Sequence, residues 1–385
     1  MKIYFKNLDG LRFIAAFLVI LDHAQFFKSI NHEPLSSYFS LYLAHTGEMG
    51  VNLFFVLSGF LISFLLMSEH KITGTVNLGK FYIRRILRIW PLYFAYGLGI
   101  ILLSGVFFRA VGMIEPVSFG DTITNIIFLI FFAVNIQFIT IGHNPGMVEI
   151  LWSVCVEEQF YLIWPLIIKK FRGKIKRVIV ILLVVGLGSK LALSIATHFS
   201  FITPEYKLLF NYVMLPNKVE LFAAGMAGAY LYFHKEKFAN LFRIIQSKSI
   251  QFGVIAVALL FTFTNFYLKG SASFYLSDYL ACLIYGSVVL IAIQPSSILN
   301  FEFPWLRTLG RISYGIYLFH PPICHLTLFL MTKKLHISNS FLSYDIIYPL
   351  SATLFTCILA YISYQWFEKA FLKRKNKFAI VKTRI

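Results

Sequence analysis

The sequence predicts an all-α protein, a polytopic bundle of transmembrane helices, and three observations carry that expectation. Of 385 residues, 58% are hydrophobic and only 14% charged, against roughly 25% charged in a typical soluble domain. Mean hydropathy is +0.74. Apolar stretches near the length of a membrane span, about 20 residues, recur along the whole chain, with no hydrophilic segment long enough to fold between them.

Eleven stretches qualify or nearly qualify as spans: residues 10–28, 49–68, 89–108, 122–141, 149–168, 178–197, 219–234, 250–268, 275–294, 312–331 and 344–367. Basic residues cluster between them. The first cluster holds Lys71, Lys80, Arg84, Arg85 and Arg88, and the second Lys169, Lys170, Arg172, Lys174, Lys176 and Arg177. The third holds Lys235, Lys237, Arg243 and Lys248, and the last Lys369, Lys373, Arg374, Lys375 and Lys377. The positive-inside rule assigns all four to the cytoplasmic face.

Three stretches separate the first cluster from the second, and an odd number of crossings would put the two on opposite faces. One stretch, by preference 122–141, is therefore expected to dip in or lie against the bundle. This gives about ten crossings plus a possible re-entrant segment, with both termini cytoplasmic, in the cell's inner (cytoplasmic) membrane. Residues 1–372 then make the membrane-embedded domain, and 373–385 a short basic cytoplasmic tail. Lys2 and Lys6 precede a long apolar stretch without a small-residue cleavage site, so no removable signal peptide is expected.

The formal charge of +18 does not indicate nucleic acid, because the cations serve the positive-inside pattern and an anionic leaflet. Cys155, Cys282, Cys324 and Cys357 lie in apolar segments, and no two are spaced as a metal or redox pair. They read as buried small hydrophobes, and no metal is expected.

Several ionisable residues fall inside apolar stretches, where function is the default reading. Arg12 and His23 are eleven residues apart, three helical turns, so they share one face about 16 Å apart. The bland alternative is an arginine snorkelling to the interface and a histidine capping the far end. Ser58-Gly59 places a small polar step in the second stretch, suited to close helix packing. Arg85 and Arg88, three apart, occupy neighbouring positions on one helix face, and guanidinium forks suit phosphate. Arg84 reads equally well as a membrane anchor.

Leu151-Trp152-Ser153-Val154-Cys155-Val156-Glu157-Glu158-Gln159 is the strongest signal. A carboxylate in lipid costs at least about 2.5 kcal/mol, so Glu157 and Glu158 must face a cavity or a cation. A structural ion pair is the alternative. His320 precedes Pro321-Pro322, and carbonyls freed by proline often line cavities. Lys218 and Glu220 read as a local ion pair, and Lys190 and Asp278 as interfacial residues without a role.

Five ordered segments now make a resemblance specific: LDGLRFIAAFLVILDH at 8–23, GVNLFFVLSGFLI at 50–62, FYIRRILRIWPLYF at 81–94, LWSVCVEEQFYLIWP at 151–165 and ISYGIYLFHPP at 312–322. In these the chain resembles the acyltransferase-3 family of integral membrane acyltransferases along nearly its whole length. Lys218, where arginine is common, and Ala370, where proline is frequent, depart from the pattern. Many relatives add a soluble SGNH hydrolase-like domain; the short tail here, with no Gly-Asp-Ser element, leads to the expectation of a membrane domain alone.

The resemblance implies transfer of an acyl group, acetyl first, from cytoplasmic acyl-CoA to a hydroxyl of a cell-surface polysaccharide or its lipid-linked precursor. Membrane lipid, acetyl-CoA and a glycan acceptor are the implied partners. His23, Glu157 and Arg12 are the implied catalytic residues, and Arg12, Arg85 and Arg88 the donor-binding ones. Asp9, Ser58, Trp152, Glu158 and His320 are candidate cavity-lining residues. His23 would act as base toward the acceptor hydroxyl or carry the acyl group itself. Glu157 is preferred to Asp22 as its companion, because Asp22 lies about 100° round the helix. A small-molecule acceptor is an alternative, as is a transporter or flippase of envelope glycans, since intramembrane charges and broken helices also suit transport.

Overall fold

The computed structural model describes residues 2–31, 33, 38–104, 118–141, 148–171, 173–264 and 274–383. Arg172 of the second basic cluster, and the ends of the stretches 89–108 and 250–268, lie outside the described residues. In chain order the elements begin with β1 (Lys2–Ile3), α1 (Leu8–Ile30), α2 (Tyr38–Leu43), α3 (Thr46–Thr73), α4 (Leu78–Leu103), α5 (Phe119–Ile130) and α6 (Val134–Thr140). Then come α7 (Trp152–Lys170), α8 (Ile175–His198), α9 (Pro204–Val213), α10 (Val219–Phe233), α11 (Ala239–Gln246), α12 (Lys248–Thr264) and α13 (Phe274–Ala292). The chain closes with α14 (Pro304–Arg311), α15 (Ser313–Phe329), α16 (Tyr348–Ser363), α17 (Lys369–Lys375) and β2 (Lys382–Thr383).

Among the described residues six helical units are long and apolar enough to cross a membrane: α1, α2–α3, α4, α7, α8 and the long unit Phe341–Phe378 around α16. A seventh is the α11–α12 pair, bent by 76°. The expected ten crossings are reached only when α10, α13 and α15 are counted as well. The stretch 122–141 is in line with its expected exclusion. It is broken into α5 and α6, of 12 and 7 residues, about 18 and 10 Å long, each short of a hydrocarbon core of about 30 Å.

Local chemistry sets these boundaries. Gly74, in the left-handed region at φ 73°, ends α3, and Asn77 caps α4 by accepting from Lys80 N at 2.9 Å. Ser118 and Asp121 form a capping box that starts α5. Asn7, at φ 65°, tolerates the left-handed turn into α1. Its amide donates to the carbonyls of Ala292 at 2.8 Å and Leu299 at 3.1 Å, and its Oδ1 accepts from Phe301 N at 2.8 Å. That clamp fixes the start of α1 against the loop before α14.

The centre of the bundle is α1, α3 and α10. Thr46 Oγ1 donates to Leu18 O at 2.8 Å, and α3 descends beside α1 in the opposite sense. α10 runs alongside α3 so closely that Gly59 meets the Phe222 backbone and Gly225 meets the Val56 carbonyl. Gly59 thus fills the packing role expected of the Ser58-Gly59 step, since only a residue without Cβ admits such an approach. A Cβ on Gly225 would lie 2.5 Å from Phe60 N and 3.0 Å from Gly59 C. Gly225→Ala is therefore expected to cost about 1–3 kcal/mol, read as a lower thermal midpoint in detergent; an unchanged midpoint would show that the two helices part freely.

The N-terminus of α1, the C-terminal ends of α3, α7 and α10, and the start of α4 meet at one end of the bundle, the basic end. Away from it, charge is buried among α3, α8, α10 and α13. Lys190 Nζ pairs with Glu220 and, at 2.6 Å, with Asp278, while Lys218 Nζ lies 3.2 Å from Glu48 and 3.4 Å from Asp278. This corrects two sequence readings. Lys190 and Asp278 are buried network members rather than interfacial residues, and Lys218 and Glu220 take partners on other helices instead of each other. A second buried pair, Lys28–Asp345 at 2.6 Å with Ser40 also donating to Asp345, ties α1 to the segment leading into α16.

Candidate functional site

A cavity of about 220 Å³ lies at the basic end, walled by α1, α3, α4, α7, α15 and the C-terminal segment. Six of the ten residues singled out from sequence line it: Asp9, Arg12, Ser58, Arg85, Arg88 and Glu157. Arg12 and Asp9 form an ion pair at 2.9 Å. Arg85 places its guanidinium 5.5 Å over the Tyr161 ring and 5.7 Å over Phe81, a favourable face for a cation. The Ser58 hydroxyl is hydrogen-bonded to that of Tyr161. Arg84 also lines the cavity, but its guanidinium is already engaged by Glu69 at 3.2 Å and by the Phe378 carbonyl at 2.9 Å.

Successive residues on a helix point about 100° apart, and the carboxylate motif on α7 uses this three ways. Glu157 faces the cavity, near Ser58, Tyr161 and Arg85. Glu158 turns to Trp90 and accepts from its Nε1 at 2.9 Å. Gln159 turns to α6, donating to Asn135 Oδ1 at 2.9 Å and to the Phe132 carbonyl at 3.1 Å. Phe132, at φ 51°, is the break between α5 and α6, and its ring stacks on Tyr93 at 4.4 Å. Gln159 thereby holds the strained break in place. Trp152, offered as a cavity residue, instead packs in the core against Tyr212, ring centroids 4.7 Å apart.

His23 stands apart from Glu157. Its Nδ1 is 3.0 Å from the Val19 carbonyl, which can only accept. In the neutral ring the proton therefore sits on Nδ1 and the lone pair on Nε2 is free. The carboxylate beside it belongs to Asp22, with Oδ2 3.6 Å from Nδ1. The expected pairing of His23 with Glu157 is thus replaced by one with its own neighbour: side-chain torsion brings Asp22 round where a count of helical angle does not.

Against His23, edge-on at 4.8 Å between centroids, lies His320. This ring is fully buried. Its Nδ1 is 2.6 Å from the Tyr317 carbonyl, and among the described residues its Nε2 has no hydrogen-bond partner. The Tyr317 ring, 5.7 Å from that of His320, also lines the cavity. Its hydroxyl is tied to Ser153 Oγ at 2.6 Å and Ile150 O at 3.2 Å. Tyr317 therefore separates the cavity from the two histidines.

Sequence reasoning passed over Tyr161, Tyr317, Arg311 and Lys375, all of which line the cavity. Tyr161 and Tyr317 lie inside quoted motifs, and Arg311 stands just ahead of one, so the signal for these was present. Tyr364 and Glu368 enter through a π turn, Tyr364–Glu368, a feature frequent at functional sites and invisible in composition. Outside the bundle, burial and the Glu302 carboxylate at 2.6 Å push Tyr4 up to about 12, which keeps this cavity-wall phenol a neutral donor.

An all-helical membrane bundle with a cation-rich cavity at one end and an imidazole pair beyond it defines the class. The acyltransferase-domain family matches residues 5–365, and the chain belongs to that family of multi-pass membrane acyltransferases. Among curated relatives, it is 29% identical to the peptidoglycan O-acetyltransferase OatA of Listeria monocytogenes over 97% of this chain and 56% of the relative. It is 26% identical to the putative peptidoglycan O-acetyltransferase YrhL of Bacillus subtilis over 95% of this chain and 54% of the relative. With the O-acetyltransferase OatA of Staphylococcus aureus the identity is 29%, over 98% of this chain and 60% of the relative. The chain thus spans little more than half the length of these relatives. No solved structure matches.

Proposed function

We propose that the protein is an acyl-CoA-dependent O-acetyltransferase that moves acetyl from cytoplasmic acetyl-CoA to a hydroxyl of a cell-surface polysaccharide or its lipid-linked precursor. The relatives' names point to peptidoglycan as the glycan to test first. The observation that carries the reading is the cavity: Arg12, Arg85 and Arg88 converge in a space that leads toward Tyr317, with His320 and His23 behind it. The basic clusters support a cytoplasmic mouth.

Arg85 and Arg88, which form no ion pair among the described residues, would hold the donor's phosphates. The thioester arm would extend past Ser58 and Glu157. Reaction requires Tyr317 to swing aside, because it closes the path to His23. There the Nε2 lone pair takes the acceptor hydroxyl proton as the oxygen attacks the thioester carbonyl. The C–O bond forms, the C–S bond breaks, and the departing thiolate takes the proton back from His23. Glu157, beside Arg85, would balance cavity charge rather than orient the base.

The test uses purified protein in detergent, supplied with acetyl-CoA and peptidoglycan fragments. Wild-type protein should bind CoA and transfer acetyl. Arg85→Ala and Arg88→Ala should each lose about 1.5–3 kcal/mol of donor affinity, roughly ten- to a hundredfold. Lysine at either position should recover only part of it, since an ammonium cannot form the fork. Unchanged CoA affinity in both alanine variants would reduce the pair to a topology anchor and remove the donor assignment.

A further inference from the structure

The boundary drawn from sequence at residue 372 falls inside α17, and residues 373–383 of the expected basic tail pack against the rest of the chain. After α17 comes the turn Asn376–Phe378, and then β2, which pairs in parallel with β1, Lys2 opposite Lys382 and Ile3 opposite Thr383. Arg84 donates to the Phe378 carbonyl at 2.9 Å, and Val381 is buried in the same core as Phe5. The C-terminal segment is thus strapped to the start of the chain, and Leu372, Lys375, Asn376, Ala379 and Val381 form one wall of the cavity.

Lys375 is the odd member. It is 6% exposed, whereas Lys373, Arg374 and Lys377 are exposed. The charges that act on it are Arg88, Arg85, Arg12 and Arg84, all of its own sign. The carboxylates in the cavity are engaged elsewhere: Asp9 pairs with Arg12, Glu157 faces Arg85, and Glu368 faces Arg88 and accepts from Ser363 at 3.3 Å. Among the described residues Lys375 makes no ion pair. Burying an ammonium among like charges is strongly unfavourable unless an anion joins them, and the cations around this one suit a polyanion.

We propose that the C-terminal strap completes the donor pocket and that Lys375 Nζ is a direct ligand of the donor's phosphates, opposite Arg85 and Arg88. The inference rests on the acyl-CoA reading above and adds to it a binding residue from outside the family match, which ends at residue 365. A compact ammonium acts as a point charge toward phosphate rather than as a fork, so here arginine should substitute well. Donor binding should also fix the strap in place, because the phosphates bridge it to α4.

The full-length protein in detergent provides the test. Lys375→Ala should weaken CoA binding roughly tenfold or more by calorimetry, and Lys375→Arg should restore most of it. Lys373→Ala, on the exposed side, should bind as wild type. With S-acetyl-pantetheine, a thioester without the nucleotide phosphates, Lys375→Ala and wild type should turn over alike. CoA should also slow tryptic cleavage after Arg374 in the wild type. If Lys375→Ala binds CoA like wild type while Arg88→Ala does not, the strap inference is overturned and the donor reading stands. If wild type itself shows no CoA affinity, the donor reading fails and this inference with it.

Discussion

His23→Gln is expected to lower acyl transfer by about 10²–10⁴-fold, the usual contribution of a general base, while leaving CoA affinity at the wild-type level. The Val19 carbonyl at 3.0 Å holds the proton on Nδ1, so the free lone pair on Nε2 is what the reaction would use. Glutamine keeps polarity and approximate volume but cannot accept a proton near neutral pH. Donor affinity should persist because His23 does not line the cavity where Arg12, Arg85 and Arg88 stand. Purified variants compared for CoA binding and for transfer to added glycan would check both halves. His320→Gln is the informative companion, since among the described residues His320 also carries an unpartnered Nε2. Near wild-type turnover in His23→Gln with loss in His320→Gln would move the base one residue deeper. Asp22→Asn should have a smaller effect, its carboxylate standing 3.6 Å away.

Lys190→Met is expected to cost about 3–5 kcal/mol of stability, the penalty for removing one partner of a buried ion pair. Among the described residues it would leave Glu220 without its ion-pair partner and Asp278 with Lys218 only. Lys190 is 1% exposed and Glu220 fully buried, so water cannot make up the loss. The readout is the thermal midpoint in detergent, with yield of monodisperse protein as a second measure. The double variant Lys190→Met with Glu220→Gln should recover part of the loss, because it removes an unpaired charge along with its partner. A midpoint unchanged in Lys190→Met would show that the network's charges are compensated in some other way. This network anchors α8 and α13 to the central α3–α10 pair and carries no part of the proposed chemistry.

Sequence and structure diverge where torsion and long-range approach matter. Glu157 and His23 are the two most conspicuous intramembrane groups, and their depths along the spans favour pairing them. The structure instead aims Glu157 at the cavity with Arg85 and sets His23 beside Asp22 and His320. Lys190 and Asp278 are 88 residues apart in sequence, and each alone looks like an interfacial charge. Burial makes them partners.

Some properties of this protein are dictated by sequence alone. Composition and span-length apolar runs require a helical membrane bundle, because backbone groups in lipid must be satisfied within a helix or a closed barrel. Spacing places Arg85 and Arg88 side by side, since three residues is nearly one helical turn. Parity of the basic clusters required that one of three stretches not cross, without fixing which; the break of 122–141 into α5 and α6 came from the structure. Other properties only the tertiary structure decided. Which face of α7 meets the cavity depends on how α3, α4 and α6 pack around it. That Tyr317 stands between cavity and imidazole depends on Ser153 and the Ile150 carbonyl holding its hydroxyl. That Lys375 joins the arginines depends on β2 pairing with β1 at the opposite end of the chain. Helical period and hydropathy are local properties of a segment, whereas a site in a membrane bundle is assembled from contacts between segments far apart in sequence. Their geometry is set by packing that no single segment encodes.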